Sequence, residues 1–387
     1  MLTAYKYRLY PNKKQRQQID ATIGVCRLVY NLALDIKIQA YKEHQKKLNA
    51  FDLCYQLIDL KKDYNWIAEV DSQALQAAVK KVDISFKNFY RGNGYPKFRK
   101  NRNGGSFQCP NNTRKIDWVN STLTIPKIKN IPIVLSRIFE GKIKTVTITR
   151  TPTGKYFASI LVETLTENKP VSLINNAIGI DLGLNSFATL STGEKIENPK
   201  YLKSNMGRLK ILQKRATHKK KGSNNRKKAN LKVALQHEKI TNQRKDFLHK
   251  VSTRLISESQ TDTICVETLA VKNMIKNHNL AQAISDVSWS EFIKQLEYKG
   301  KWHGKNIIKI DKWYASSKTC SNCGNVLDKL DLATRTWQCE KCHSTHDRDI
   351  NAAINIKFMG LQTGKGIPSE PVELSAMAET MKQEVLP

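Results

Sequence analysis

The densest chemistry in this sequence is a run of four cysteines, Cys320-x2-Cys323-x15-Cys339-x2-Cys342. Two residues between thiolates let one tight turn present both sulfurs to a tetrahedral ion. Two such knuckles close a four-sulfur zinc site with no open position. Gly324 falls where the turn after the first knuckle wants it. A closed site is structural, so one Zn2+ is expected here and the reaction centre elsewhere. Lys318, Lys329, Arg335 and Lys341 surround the cluster and suit a nucleic-acid contact or a solvated face equally well. The other cysteines, Cys26, Cys54, Cys109 and Cys265, are scattered and read as small core residues. Both groups fit a reducing, cytosolic compartment better than a disulfide framework.

A second set of candidates is carboxylic and dispersed. Asp181 ends a buried run, Ala177 to Ile180, that is apolar apart from Gly179, and Gly183 follows in a turn. Glu267 ends the run Thr263 to Val266 in the same manner, and Asp349 precedes an apolar helical stripe of Ile350, Ala353 and Ile354. Taken singly, these are a turn residue, a strand-end charge and a helix N-cap. Taken together, two strand ends and a helix start could bring three hard oxygen donors around two Mg2+ or Mn2+ ions about 4 Å apart. In such a site one ion acidifies an attacking water and the other stabilises the leaving 3′ oxygen of a phosphodiester.

The elements that would position these groups are legible in part. Residues 3–10 alternate, with Tyr5, Tyr7 and Leu9 on one face and Lys6 and Arg8 on the other, as in a strand with one wet face. Pro11 ends it, and Asn12 with Gln15 forms a capping box. Ile19, Ile23, Cys26, Tyr30 and Ala33 then mark an amphipathic helix. A second helix runs from about Ser72 to Tyr90, with Leu75, Val79, Val82, Phe86 and Phe89 on one stripe. Residues 107–165 read as short strands, the clearest being two β-branched runs around Pro152-Thr153-Gly154. The first 165 residues therefore suggest a small β-barrel with a helical insertion. Further on, residues 176–191 read as strand, glycine turn and returning strand. Helical patterns at about 203–218 and 229–258 form a basic hairpin whose tip carries Lys219, Lys220 and Lys221. DTICVE (262–267) and NIIKI (306–310) are short strands, and Ser288 with Glu291 forms a capping box for the helix of Trp289, Phe292 and Leu296. From about Gly360 no packing pattern remains, and a disordered tail is expected.

The charge narrows the partners. Sixty-five Lys and Arg against 34 Asp and Glu leave a formal +31 on 387 residues. A folded chain this basic repels itself unless a polyanion neutralises it, and nucleic acid is the usual polyanion. An acidic membrane surface is the alternative, but no amphipathic anchor or lipidation motif accompanies the charge. With 40% hydrophobic and 8% aromatic residues the composition is that of a globular protein and excludes collagen, wholesale disorder and coiled-coil rods. No apolar run reaches bilayer length, and the start MLTAYKYRLYPNKKQ lacks an apolar signal stretch, which argues against secretion.

The segments GIDLGLNSFATLS around Asp181, TICVETLAVKNM around Glu267, SSKTCSNCG at the first knuckle and HDRDINAAINI around Asp349 together resemble the TnpB family, the OrfB-type proteins of insertion sequences, which are similar to compact ancestors of type V CRISPR effectors. FKNFYRG and GYPKFRK add to the likeness, which covers about 1–360 in order. The resemblance implies an α/β multidomain protein. Residues 1–11 and 91–170 would form an oligonucleotide-binding-like β-barrel (WED) and 12–90 a helical recognition (REC) insertion. Residues 171–313 and 344–360 would form an RNase H-like RuvC nuclease, with a zinc ribbon inserted at 314–343 and a tail at 361–387. It implies that Asp181, Glu267 and Asp349 hold two catalytic Mg2+ or Mn2+ ions, Asp349 rather than Asp347 matching the family position.

It also implies an RNA-guided DNA endonuclease that carries a guide RNA from its own transposon, reads a short motif beside double-stranded target DNA and leaves the remaining specificity to base pairing. It would be a cytoplasmic, nucleoid-associated prokaryotic protein, a monomer on one guide RNA. In GYPKFRK, Tyr95, Lys97, Phe98 and Arg99 would contact RNA by stacking and phosphate pairing; as plain residues they fit a barrel loop with its aromatics tucked in equally well. Lys219, Lys220 and Lys221 would line the nucleic-acid channel. One departure is Ala315 after Tyr314, where the family often has proline. The competing readings are a nuclease-silent RNA-guided DNA-binding regulator and a transposase-associated accessory protein. A transposase acting directly on element ends has no tyrosine- or serine-recombinase arrangement to support it.

Overall fold

The computed structural model describes residues 2–100, 104–110, 114–164, 174, 176–331 and 333–363, in two compact units divided after Glu167. The tail expected from Gly360 onward lies outside the described residues from 364. Its first three residues, 361–363, are instead the end of a helix.

The first unit opens with strand β1 (Leu2–Leu9), then helices α1 (Lys13–His44), α2 (Ala50–Asp63), α3 (Asn65–Ala68) and α4 (Ser72–Tyr90). Strands β2 (Gly105–Cys109), β3 (Lys115–Asp117), β4 (Thr122–Ile125), β5 (Ile128–Val134), β6 (Lys142–Arg150) and β7 (Tyr156–Glu163) complete it. The Asn12–Gln15 capping box is formed in both directions, each side chain accepting from the other's backbone N–H at 2.9 Å. The predicted stripe of α1, Ile19 to Ala33, is buried with Leu75, Val79 and Val82 of α4 in one core with the sheet. The strands run β2-β6-β7-β1-β5-β4-β3. Among the described residues β2 and β3 share no ladder, so the expected barrel is not closed by backbone pairing. A side chain spans the gap. Arg114, buried just before β3, donates to the carbonyls of Cys109 (2.9 Å) and Ile143 (2.7 Å) in β2 and β6.

The second unit holds strands β8 (Ala177–Leu182), β9 (Ser186–Leu190) and β10 (Lys195–Glu197), followed by the hairpin of α5 (Tyr201–Thr217) and α6 (Asn224–Thr253). A π-helical turn, Arg254–Glu258, ends α6. Next come β11 (Thr263–Glu267), α7 (Val271–Met274), α8 (His278–Val287), α9 (Trp289–His303), β12 (Asn306–Ile310), β13 (Thr336–Gln338), β14 (Thr345–Asp347) and α10 (Arg348–Thr363). The five-stranded sheet has the order β10-β9-β8-β11-β12, with β8, β11 and β12 parallel and β9 and β10 antiparallel.

One face of this sheet buries Ile178, Ile180, Ile264 and Val266 against Leu248, Val251, Phe292 and Leu296 of α6 and α9. The other face carries α10, whose Ile356 packs with Cys265 and Ile310. Helix and sheet approach so closely that a Cβ on Gly179 would overlap the backbone at Ala353 and Lys357, and one on Gly360 would overlap Cys265. The expected Ser288 capping box is absent. Helices α8 and α9 abut at that single residue, which must turn the chain in the left-handed region (φ 56°), and its hydroxyl donates back to the Ser285 carbonyl (3.1 Å).

Candidate metal centres and nucleic-acid interface

Period-two alternation decides where the carboxylates go. Gly179 and Asp181 lie two residues apart on β8 and so face the same side of the sheet, as do Cys265 and Glu267 on β11. That side is the one α10 covers. The parallel register pairs Val266 with Ile180, so Glu267 and Asp181 follow side by side at the carboxyl ends of adjacent strands, about 4.8 Å apart in the pairing direction. Asp349 sits one helical turn before Ala353, the residue that rides over Gly179. Two strand ends and a helix start are thereby brought near one another on this side of the sheet, although among the described residues only the four cysteines have all their ligand atoms within 4.8 Å of one another.

The electrostatics report the same convergence. Burial first, then repulsion from Glu267 and Asp349, pushes Asp181 up to about 8; Arg348 opposes this. Burial pushes Glu267 up to about 7, although its carboxylate accepts from the backbone N–H of Leu182. Carboxyls held this far above their ordinary range hold protons near neutrality unless a cation replaces them. Asp347 behaves oppositely. It accepts from the backbone N–H groups of Asp349 (3.0 Å) and Ile350 (3.1 Å) and pairs with Lys195 (2.7 Å), and its pKa lies below the usual range. Asp347 is therefore the helix cap, the role that Asp349 could have had on sequence alone. The Asp349 carboxylate takes no part in this cap and lies near enough to raise the pKa of Asp181. Its Oδ1 lies 3.7 Å from the Arg335 guanidinium, a residue the sequence offered only as one of several surface cations.

The four cysteines converge independently. Their sulfurs all lie within 4.8 Å of one another, and Cys320–Cys342 and Cys323–Cys339 are each 3.6 Å apart. The edge of a four-sulfur zinc tetrahedron is about 3.8 Å, given Zn–S near 2.3 Å. Four thiols in this geometry fit Zn2+. Cys342 is held down at about 5 by the Ser344 hydroxyl and backbone N–H, whereas burial pushes Cys320 up to about 12. His346, which spacing did not flag, sets its Nε2 3.1 Å from Cys320 Sγ.

The cationic candidates are all exposed, and Arg99 also makes contacts within the chain. Lys219, Lys220 and Lys221 are exposed between α5 and α6. Below them a cleft of about 1130 Å3 between the two helices is lined by Arg208, Arg215, Lys219, Lys228, Lys232 and Lys239, with no carboxylate in its wall. In GYPKFRK, Lys97 and Phe98 are exposed. Tyr95 is half tucked, its ring edge-on to Phe86 (5.7 Å) and Phe89 (5.3 Å). Arg99 is exposed too and also makes contacts within the chain. Its guanidinium lies 3.6 Å from the centre of the Tyr30 ring, and its backbone pairs both ways with the Asn31 side chain.

Comparison with known proteins places this architecture in a class of insertion-sequence proteins. A family described as "Probable transposase" (OrfB of IS605) matches residues 159–278, which hold Asp181 and Glu267, and a "Cas12f1-like, TNB domain" matches 289–356, which hold the cysteines and Asp349. A "Helix-turn-helix domain" of the same group matches 1–46, where the structure has a strand and one long helix. A protein of Streptomyces pristinaespiralis named "Putative RNA-guided DNA endonuclease" is 40% identical over 98% of this chain and 96% of its own length. InsQ of Escherichia coli, named in the same way, is 30% identical over 96% and 98%. The chain belongs to the TnpB family. Its fold is similar to that of Cas12f1 in a complex with guide RNA and target DNA (TM-score 0.58, 14% identity, 92% of this chain and 98% of that one). Among the described residues no helix is long and apolar enough to cross a membrane.

Proposed function

We propose that this protein is an RNA-guided DNA endonuclease of an insertion sequence, cutting target DNA at Asp181, Glu267 and Asp349. The observation that carries the catalytic part is the convergence of three acids, two of them pushed up by burial, at the carboxyl ends of adjacent parallel strands. Such a cluster is destabilising by itself and becomes favourable when divalent cations neutralise it. Hard oxygen donors select Mg2+ or Mn2+, and two such ions, when bound, would supply an acidified water and charge stabilisation for in-line displacement at a phosphodiester. Asp181 and Glu267 would hold that charge from the rigid sheet and Asp349 from the helix, while Asp347 caps the helix. The strand order of this unit supports an RNase H-like, RuvC-type reading. The first unit would supply the WED-like sheet and REC-like helices.

The four cysteines would hold one structural Zn2+. Tyr95, Lys97, Phe98, Arg99, Lys219, Lys220 and Lys221 would meet nucleic acid, with the cleft beneath the hairpin tip as a path for phosphates. The names of the relatives support guide RNA and target DNA as partners. A cytoplasmic location and a monomer on one guide belong to the same reading.

The test is direct. RNA copurifying with the protein is sequenced, and its complement is placed in a plasmid beside a randomised flank. In Mg2+ the parent should linearise plasmids carrying a permissive flank, and Asp181→Ala should bind the same RNA and leave the plasmid intact. Binding of the target by the parent without any cleavage would replace this reading with the nuclease-silent regulator.

A further inference from the structure

We propose that Asn351 and Asn355 are positioning residues through which the cysteine ribbon sets the place of Asp349, so that zinc occupancy governs how well the three carboxylates take up divalent cations. This rests on the reading of those carboxylates as the metal centre. Both asparagines belong to DINAAIN, a stretch in which Asp349 has a role and the amides so far have none. They are 2% and 4% exposed on α10. Asparagine is a mediocre helix former, and a buried amide is costly unless its donors and acceptor are used.

Here they are used on a single segment. Asn351 Nδ2 donates to the Thr319 carbonyl (2.7 Å), and its Oδ1 accepts from the Ser321 backbone N–H (2.9 Å). Asn355 Nδ2 donates to the carbonyls of Ser316 (2.8 Å) and Thr319 (2.6 Å). These partners bracket Cys320, the first cysteine of the cluster. The far side of the ribbon grips the start of the same helix. The Arg348 backbone N–H donates to the Arg335 carbonyl (2.8 Å), its guanidinium donates to the Asp331 carbonyl (2.9 Å), and Asp347, the last residue of β14, caps the helix.

Helix α10 therefore has two working faces. Ala353 and Gly360 ride on the sheet, and Asp349, one turn before Ala353, shares that face. At 100° per residue, Asn351 and Asn355 point to the opposite side, where the knuckle lies. A turn or slide of the helix that moved Asp349 would break the amide clamp. A knuckle that lost its shape would equally release the helix. With four sulfurs closed on one ion, the knuckle carbonyls stay where both amides can reach them. Coupling of this kind accounts for two buried amides that neither the sheet nor the carboxylate cluster uses.

The experiment has two arms on the full chain with its copurified RNA. First, backbone hydrogen exchange of α10 is followed with zinc present and after a zinc-selective chelator, both without Mg2+. We expect residues 349–355 to exchange at least about tenfold faster once zinc is gone. Unchanged exchange there overturns the proposal, whatever the activity. Second, Asn355→Asp, which keeps the size and loses the donor, and Asn351→Ala are compared with the parent for zinc release and for plasmid cleavage over a Mn2+ titration. Faster zinc release and an approximately tenfold higher half-saturating Mn2+, with most of the maximal rate recovered at saturation, support positioning. A variant that folds, keeps zinc as firmly and needs no more Mn2+ overturns it. Should a variant fail to fold, the exchange arm on the parent decides. A parent that never cuts would overturn the nuclease reading instead, and the exchange arm would still test the clamp.

Discussion

Four sulfurs within ligand distance of one another and three neighbouring carboxylates sit in one unit of this protein and are assembled by opposite means. The cysteines meet because two short turns, at Cys320–Cys323 and Cys339–Cys342, each present a pair of sulfurs, and a small hairpin of β13 and β14 stands beside them. The carboxylates come near one another because a parallel sheet sets two strand ends side by side and a helix from the far end of the chain lies across them. The four sulfurs leave no open position between them. Two of the acids are pushed up by burial, Asp181 to about 8 and Glu267 to about 7. Closed local sites suit structure, whereas open, strained sites assembled by the fold suit chemistry.

The sharpest way to break that contrast is to remove the strain. Asp181→Asn should lower plasmid cleavage by about a thousandfold or more, the loss expected when several kcal/mol of charge stabilisation disappear. The same change should raise the melting temperature of the metal-free protein near pH 8. The sign follows from the raised pKa. The folded state binds the Asp181 proton more tightly than the unfolded state, so stability is greatest below about pH 4 and is lost as pH rises toward about 8. A neutral amide at this position would carry no such loss, and a gain of roughly 5 °C at pH 8 that vanishes at pH 4 is expected from scanning calorimetry, at about 2 kcal/mol. Equal melting at both pH values would mean that the acid is not strained.

A gentler disturbance moves the framework while leaving all three acids in place. Gly179→Ala inserts a methyl against the backbone of Ala353 and Lys357. Overpacking of this kind costs about 1–3 kcal/mol, and a displacement of about 1 Å at Asp349 should slow cleavage by roughly a hundredfold. Thermal melting and plasmid assays check both, with Gly207→Ala, at an exposed position of α5 with open space around it, as the comparison.

For the ribbon, native mass spectrometry should find one zinc per chain. Cys339→Ser should lose it and raise protease sensitivity within 314–347 while leaving the N-terminal unit intact. Folded protein without zinc would remove the site.

The smallest effect is expected at the hairpin tip. Replacing Lys219, Lys220 and Lys221 by alanine should weaken RNA binding several-fold at moderate salt. It should reduce the slope of log affinity against log salt by about 2–3, one condensed counterion per lost phosphate contact. An unchanged slope would make the tip a solvated surface.

Local spacing was enough for the cysteine cluster, the Asn12 cap, the stripes of α1 and α4 and the strands that carry Asp181 and Glu267, because each depends on neighbours within a turn or two. Interactions that depend on other elements were not legible in this way. The Ser288 cap failed because α8 and α9 compete for one residue. Nothing local announces that Tyr30 lies under the Arg99 guanidinium. Arg114, which bridges a gap in the sheet, and the amides of Asn351 and Asn355 carried no periodic signal.

By itself, the sequence determined which ligand types are present, the spacing of the four clustered cysteines and the formal charge of +31, since these follow from side-chain chemistry and residue order. Only the tertiary structure decided that Asp349 faces the site while Asp347 caps the helix, and that glycine at 179 lets α10 lie flat on β8. The distances between those groups depend on how the sheet and helix pack, and residues far apart in the chain have no spacing rule to relate them.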